Sequence, residues 1–238
     1  MRKSNTGHEV LVVVGQVRPV PDAVAPVLHV LLWRHGLGPA AGRWALPGGE
    51  VRDDEDLATS ARRQLAEKVD VRSLSHLESV SEFSDPARVP GRRVFASGFL
   101  GLLPCDADPA IPDDTAWCRV DDLPDTVFDH AEIVARARAR LAAKLSYSTL
   151  GFALAPEEFT LSALAQLYAA ALGHPVDPTN LQRVLTRRGE LVRCGRSAPP
   201  GPSGGRPAAL YRFAERRLRI TDQFAALRPP ARRPDPVT

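Results

Sequence analysis

The residues with the most chemistry per unit length lie between Trp44 and Val71, in WALPGGEVRDDEDLATSARRQLAEKVDV. The carboxylates Glu50, Asp53, Asp54, Glu55 and Asp56 lead into an apolar-periodic segment that carries Arg63, Gln64, Glu67 and Lys68. Carboxylates at that density suit hard divalent cations, which take oxygen ligands and prefer charged ones. Positions 64, 67 and 68 are adjacent or three to four apart, so a helix gathers them on one side near its C-terminal end. Their formal charges, 0 for Gln64, −1 for Glu67 and +1 for Lys68, cancel. A cation brought there would meet an ammonium group where it needs a ligand.

The element that must position these side chains is a helix over about 56–69. Asp56 is placed as its N-cap, and Ala58, Ala61, Leu65 and Val69 repeat at packing distance along one face. Arg63 lies four residues before Glu67 and is placed to brace that carboxylate or a loop carbonyl. The stretch resembles the Nudix box, G-x5-E-x7-R-E-U-x-E-E-x-G-U with U apolar. Gly49, Glu55, Arg63, Leu65, Glu67 and Val71 fit the pattern, whereas Gln64, Lys68 and Asp70 stand where the family has Glu, Glu and Gly. In that family the glutamates hold divalent metal against a pyrophosphate, so two of three expected ligands are missing here. The resemblance therefore implies a retained pocket with no catalytic residue among Glu55, Arg63, Gln64, Glu67 and Lys68. It also implies no dedicated metal site, and at most weak Mg²⁺ binding. The alternative reading is an active hydrolase of ADP-ribose or nucleotide sugars, with Glu50, Asp53, Asp54 and Glu55 as substitute ligands.

The chain's 238 residues suit two domains of moderate size. No apolar run reaches the roughly 18 residues of a membrane span, and MRKSNTGHEV lacks the apolar core of a secretory signal. Three widely spaced cysteines suggest neither a disulfide framework nor a metal knuckle. A cytoplasmic protein with no membrane partner is expected. Charge is divided unevenly: residues 1–146 carry 18 Lys and Arg against 21 Asp and Glu, and residues 147–238 carry 13 against 7. All 13 are arginines, none of them before Arg183. That asymmetry points to a polyanionic partner for the second part.

Apolar, β-branched runs at 9–18, 26–35, 76–85, 92–104 and 117–125 read as strands around the box helix. A long amphipathic helix follows over 128–148, with Ile133, Ala137, Leu141 and Leu145 on its apolar face. Its Arg136, Arg138 and Arg140 are solvated by default. This order predicts an α/β (α+β) chain whose domain 1–148 is a Nudix-like α/β/α sandwich with a mixed sheet.

The pattern then changes. In FTLSALAQLYAAALG, Leu161, Leu164, Tyr168 and Leu172 share a face, with Thr160 as N-cap and Gly173 as the stop. DPTNLQRVLTRRG starts a second helix at Asp177 and Pro178, and ELVRC and PAALYRFAE read as strands enclosing SAPPGPSGGR. Helix, turn, helix and hairpin over 149–228 predict a winged helix-turn-helix, followed by a disordered tail at 229–238. With Leu181, Val184 and Leu185 turned inward, Thr179, Asn180, Gln182, Arg183, Thr186 and Arg187 face outward, where such side chains reach bases and phosphates. The wing adds Arg193, Arg196, Arg206 and Arg212 for phosphate contact. Double-stranded DNA is the expected partner.

The damaged box, the helix FDHAEIVARARARLAAKLSYS, the segment FTLSALAQLYAAALGHPVDPTNLQRVL and GGRPAALYRF together resemble the Nudix-related transcriptional regulators of bacterial NAD metabolism, the NrtR family. The resemblance implies a dimeric repressor on a palindromic operator, with ADP-ribose or a related nucleotide as effector and no required cofactor. For the nucleotide pocket it points to Arg34, Arg43, Gly48, Gly49, Glu67, Arg93 and His130, the last of which suits a helix-capping or core role equally well.

Overall fold

The computed structural model describes residues 6–21, 23–36, 41–199 and 207–221. Arg206 and the 229–238 tail lie outside that set. The first sheet is built on β1 (Gly7–Arg18), β2 (Val27–Arg34), β3 (Trp44–Ala45), β4 (Gly48–Glu50), β5 (His76–Phe83), β6 (Val94–Leu102) and β7 (Thr115–Arg119). Its order is β3-β2-β1-β6-β5, with β4 also on β1 and β7 also on β2. The β1 to β6 pairing is parallel and the other pairings are antiparallel, so the sheet is mixed as expected. Strand β1 is buried on both faces, which explains its near-continuous run of valines.

One face of the sheet meets the box helix α1 (Leu57–Val69): Val10, Val12, Val14, Leu31 and Phe99 cluster with Ala61, Leu65 and Val69. Asp56 caps α1 as expected, with its side chain accepting from Thr59 N at 2.7 Å. Ala58, expected in the packing stripe, is exposed; Ser60 and Gln64 are buried in addition to the other three. The opposite face meets α2 (His130–Tyr147), whose Ile133, Ala137, Leu141 and Leu145 are all buried.

A 3-10 turn (Leu150–Ala153) leads to β8 (Phe159–Thr160), α3 (Leu161–Leu172), α4 (Pro178–Arg187), β9 (Leu191–Ser197) and β10 (Ala209–Phe213). These form a winged helix with a three-stranded sheet ordered β8-β10-β9. The caps are those the sequence signals, Thr160 and Gly173 for α3 and Asp177 for α4. Strand β8 was not anticipated: two residues are too short for an alternation signal.

The winged helix does not hang on a free linker. Leu164, Leu167 and Tyr168 of α3 and Leu181 and Leu185 of α4 join the same apolar cluster as Leu141 and Leu145 of α2. After the wing the chain returns to this junction. Thr149 N donates to Arg219 O at 3.0 Å and Thr221 N to Tyr147 O at 2.9 Å, while Arg216 donates to the carbonyls of Phe152, Ala155 and Pro156. Among the described residues no helix is long and apolar enough to cross a membrane.

Candidate functional site

The box carboxylates have partners other than a cation. Glu55 accepts from Arg63 Nε at 2.8 Å and from Arg52 N at 2.9 Å. The Arg63 hydrogen bond holds the Glu55 carboxyl down at about 2, and the same pairing raises the Arg63 guanidinium further. Glu67 accepts from Arg63 Nη1 at 3.1 Å and Arg52 Nη2 at 3.3 Å. Arg63 also donates to Glu50 O at 3.1 Å, the loop carbonyl anticipated for it. Two carboxylates and two guanidinium groups thus neutralise each other, and the donor set that would grip a divalent ion is engaged.

The other departures have separate explanations. Gln64 is buried, with Nε2 donating to Glu50 O at 3.3 Å and Oε1 unpartnered. A Cβ on Gly49 would lie 2.6 Å from that Nε2, so any larger residue there would displace the Gln64 amide. Lys68 turns its ammonium over the Trp33 ring, 4.8 Å from the centroid. Asp70 concerns backbone rather than chemistry: it caps α1 in the left-handed region at φ 52°, where glycine costs least and Asp is tolerated. Among the described residues no group of three or more His, Cys, Asp or Glu side chains could hold a metal ion. Gln64 and Lys68 do not fit the family's metal.

A cleft of about 840 Å³ opens where the loop between β5 and β6 faces the start of α2. Arg43, Phe83, Arg88, Phe128, Asp129 and Arg136 are among its walls. Arg88 is its buried anchor: Nε and Nη2 grip Asp129 at 2.9 and 2.8 Å, while Nη1 reaches Glu9 at 2.7 Å. These carboxylates raise the guanidinium against a burial that opposes its charge. Arg136 pairs with Glu132 and lies over the Phe83 ring at 5.2 Å.

Of the expected nucleotide contacts, Arg43 lines the cleft and donates to Thr126 O at 2.7 Å. Arg93 donates to Ser84 O at 2.8 Å and so fixes the loop that forms the wall. Arg34 braces the β2 end, donating to Gly42 O at 2.6 Å and lying 4.1 Å over Trp44. Gly48 is needed for close packing, since a Cβ there would meet Val10 O at 2.1 Å. Gly48, Gly49 and Glu67 belong to the box and not to the cleft wall. Of the two roles open for His130, the structure favours the core histidine over the ligand contact: it is 4% exposed and its Nδ1 accepts from Leu46 N at 2.9 Å. Burial drives its pKa down to about 3, so the ring is a neutral acceptor behind the wall. Arg88, Phe128 and Asp129 were missed. PARVPG and FDH carry no periodicity, and the residues meet only through tertiary contact; the FDH triplet that drew attention to His130 was the available signal.

On the second unit, Thr179, Asn180, Arg183, Thr186 and Arg187 are exposed on α4 while Leu181, Val184 and Leu185 are buried. Gln182 is half-buried and donates to Tyr211 Oη at 3.3 Å, so it supports the wing from behind. Arg193, Arg196 and Arg212 are exposed, with Arg196 paired to Glu158. Arg188 is different. Its side chain is buried, it donates to Ser146 O of α2 at 2.7 Å, and it lies 3.8 Å from the buried Glu190. Burial raises the Glu190 carboxyl, against which Thr221 Oγ1 donates at 2.8 Å.

Comparison with known proteins agrees with both halves. The NUDIX domain family matches residues 24–137, and the NrtR DNA-binding winged helix domain matches residues 151–213. An ADPR responsive transcriptional repressor, NtrR, from Acinetobacter baylyi is 30% identical over 194 residues, 79% of this chain and 76% of that protein. The crystal structure of Shewanella oneidensis NrtR superposes with a TM-score of 0.75 at 28% identity, covering 93% of this chain and 98% of that one. The same protein in complex with a 27mer DNA gives 0.73 at 29% identity, over 86% and 92% of the two chains. With its Nudix sheet, its diverged box and its winged helix in this order, the chain belongs to the NrtR family.

Proposed function

We propose that this chain is a DNA-binding transcriptional repressor whose Nudix domain senses ADP-ribose or a related nucleotide. It acts in the cytoplasm as a homodimer on a palindromic operator of NAD biosynthesis or salvage genes. The observation that carries this reading is the placement of α2. The helix starts at the cleft, where Arg88 grips Asp129, and ends where Ser146 O accepts from Arg188 at the end of α4. Along the way its apolar face packs into the core shared with α3 and α4. A ligand that shifts the cleft wall therefore acts on a rigid element that already touches the recognition helix. A hundredfold change in DNA affinity requires about 2.7 kcal/mol of differential binding between two arrangements, within the usual range for coupled sites.

The nucleotide is held without being cut. Hydrolysis of a pyrophosphate needs a cation to offset charge as it develops, and Glu55 and Glu67 are already matched by Arg63 and Arg52. The DNA-facing side chains in this reading are Thr179, Asn180, Arg183, Thr186 and Arg187 on α4 and Arg193, Arg196 and Arg212 on the wing strands, with Arg206 added from the sequence alone.

The test is fluorescence anisotropy of the full chain on promoter fragments, with and without ADP-ribose. Sequence-selective binding that the nucleotide shifts at least tenfold is expected. Weak binding indifferent to sequence, or unaltered when Arg183 and Arg187 are both changed to Ala, would leave only a nucleotide-binding module. Sustained release of AMP from ADP-ribose with Mg²⁺ or Mn²⁺ would restore the hydrolase reading.

A further inference from the structure

Phe128 holds two features that folding alone disfavours. Its φ is 48°, in the left-handed region that a bulky side chain rarely enters. The residue is 43% exposed, and it forms part of the cleft wall. The surrounding contacts nevertheless fix this conformation from both sides. Val127 N donates to Trp44 O at 2.9 Å and His130 N to Val127 O at 3.2 Å. On the other side Asp129 is locked by two hydrogen bonds from buried Arg88, which Glu9 holds in turn. The ring stands edge-on to His130, with centroids 6.1 Å apart. Strained residues that the surroundings over-determine concentrate at ligand clamps. The other ring in the cleft, Phe83, is 6% exposed and already covered by Arg136.

We propose that Phe128 is the stacking platform for the planar base of the bound nucleotide, and that it makes the cleft select nucleotides over sugar phosphates. The inference rests on the reading of the cleft as the nucleotide site. The Arg88 and Asp129 clasp is what positions the ring; the phosphate and ribose meet the polar remainder of the wall. Stacking tolerates different bases, because every base offers a π-face. The cleft should therefore discriminate for the presence of a base more sharply than for its identity.

The experiment is calorimetric titration of the full chain with ADP-ribose, AMP and ribose 5-phosphate, comparing wild type with Phe128→Ala, Phe128→Gly and Phe128→Trp. Loss of one base–aromatic stack, about 1–3 kcal/mol, is a 5- to 150-fold loss of affinity. That loss is expected for ADP-ribose and AMP in the Ala and Gly variants. Ribose 5-phosphate should bind wild type and the Ala and Gly variants equally, or none of them measurably, and Phe128→Trp should restore the wild-type affinity for ADP-ribose and AMP. The Gly variant relieves the left-handed strain, so it should melt no lower than wild type. Equal losses for all three probes would show that the ring only props the wall, and unchanged ADP-ribose affinity would show that it does not stack; either result overturns the proposal. Wild-type protein that binds none of the probes would instead refute the cleft as a nucleotide site.

Discussion

If the exposed arginines of the winged helix contact DNA phosphates, the salt dependence of binding is fixed by counting them. Five exposed arginines lie on α4 and the wing strands, Arg183 and Arg187 on the first and Arg193, Arg196 and Arg212 on the second; Arg217 and Arg219 are exposed too but follow the wing at the junction with α2 and are left out of the count. Arg188 and Arg216 are excluded, because the first is buried against α2 and the second caps backbone carbonyls. Each phosphate neutralised contributes about −0.9 to the slope of log K against log salt, so five predict about −4.5 per chain and roughly twice that for two chains on one operator. Raising salt from 50 to 200 mM should then weaken binding by roughly 500-fold for one chain. Arg187→Ala should lower the slope by about 0.9 per chain and leave sequence preference intact, as expected of a phosphate contact. Arg196 must first leave Glu158, so Glu158→Gln should strengthen binding at low salt. Anisotropy titrations on the promoter duplex and on a scrambled one across a potassium chloride series measure these effects. A slope near zero, or an Arg188→Ala variant that lowers it as much as Arg187→Ala does, would refute the assignment of these side chains.

The remaining predictions concern the Nudix half. Asp70 occupies the left-handed cap of α1, so Asp70→Gly should stabilise the protein by up to about 1 kcal/mol in urea unfolding, since the exposed pair it loses with Arg72 is worth little. His130 has a folded pKa of about 3, below its ordinary value near 6.5, so its contribution is complete above pH 6.5 and is lost as pH falls toward 3. Between pH 6.5 and 5 that amounts to about 2 kcal/mol; His130→Asn, which keeps an acceptor for Leu46 N, should flatten this part of the profile relative to wild type. Restoring Gln64 and Lys68 to Glu should raise Mn²⁺ affinity. Without metal it should lower the melting temperature, because a buried carboxylate would face Glu50 O where Gln64 now donates. Unchanged metal affinity in that double variant would contradict the charge argument.

Local signals were legible in the sequence because their physics is local. Caps at Asp56, Thr160 and Asp177 and the apolar faces of α2 and α4 follow from one or two turns of helix, and all were found where expected. The degenerate box was legible as a pattern, but not the arginine partners of its carboxylates. Glu55 and Arg63 pair across eight residues and a loop, outside any helical spacing. The cleft was the least legible feature. Arg88 comes from a proline-rich loop and Asp129 from a helix start 41 residues later, and burial at that junction decides their roles. Burial likewise decides between the two roles the sequence left open for His130, in favour of a neutral support. Net charge told which half meets DNA, yet it could not separate Arg188 and Arg216, whose guanidinium groups serve the junction, from the arginines left free on the surface.

The most direct test of the account is to add ADP-ribose, with Mg²⁺ present, to the complex of the full chain with its promoter duplex, and to follow DNA anisotropy and the nucleotide by chromatography in the same sample. The account predicts that DNA affinity shifts at least tenfold while the ADP-ribose is recovered intact. Unchanged DNA affinity, or conversion of the nucleotide to AMP on the timescale of the binding change, would contradict it.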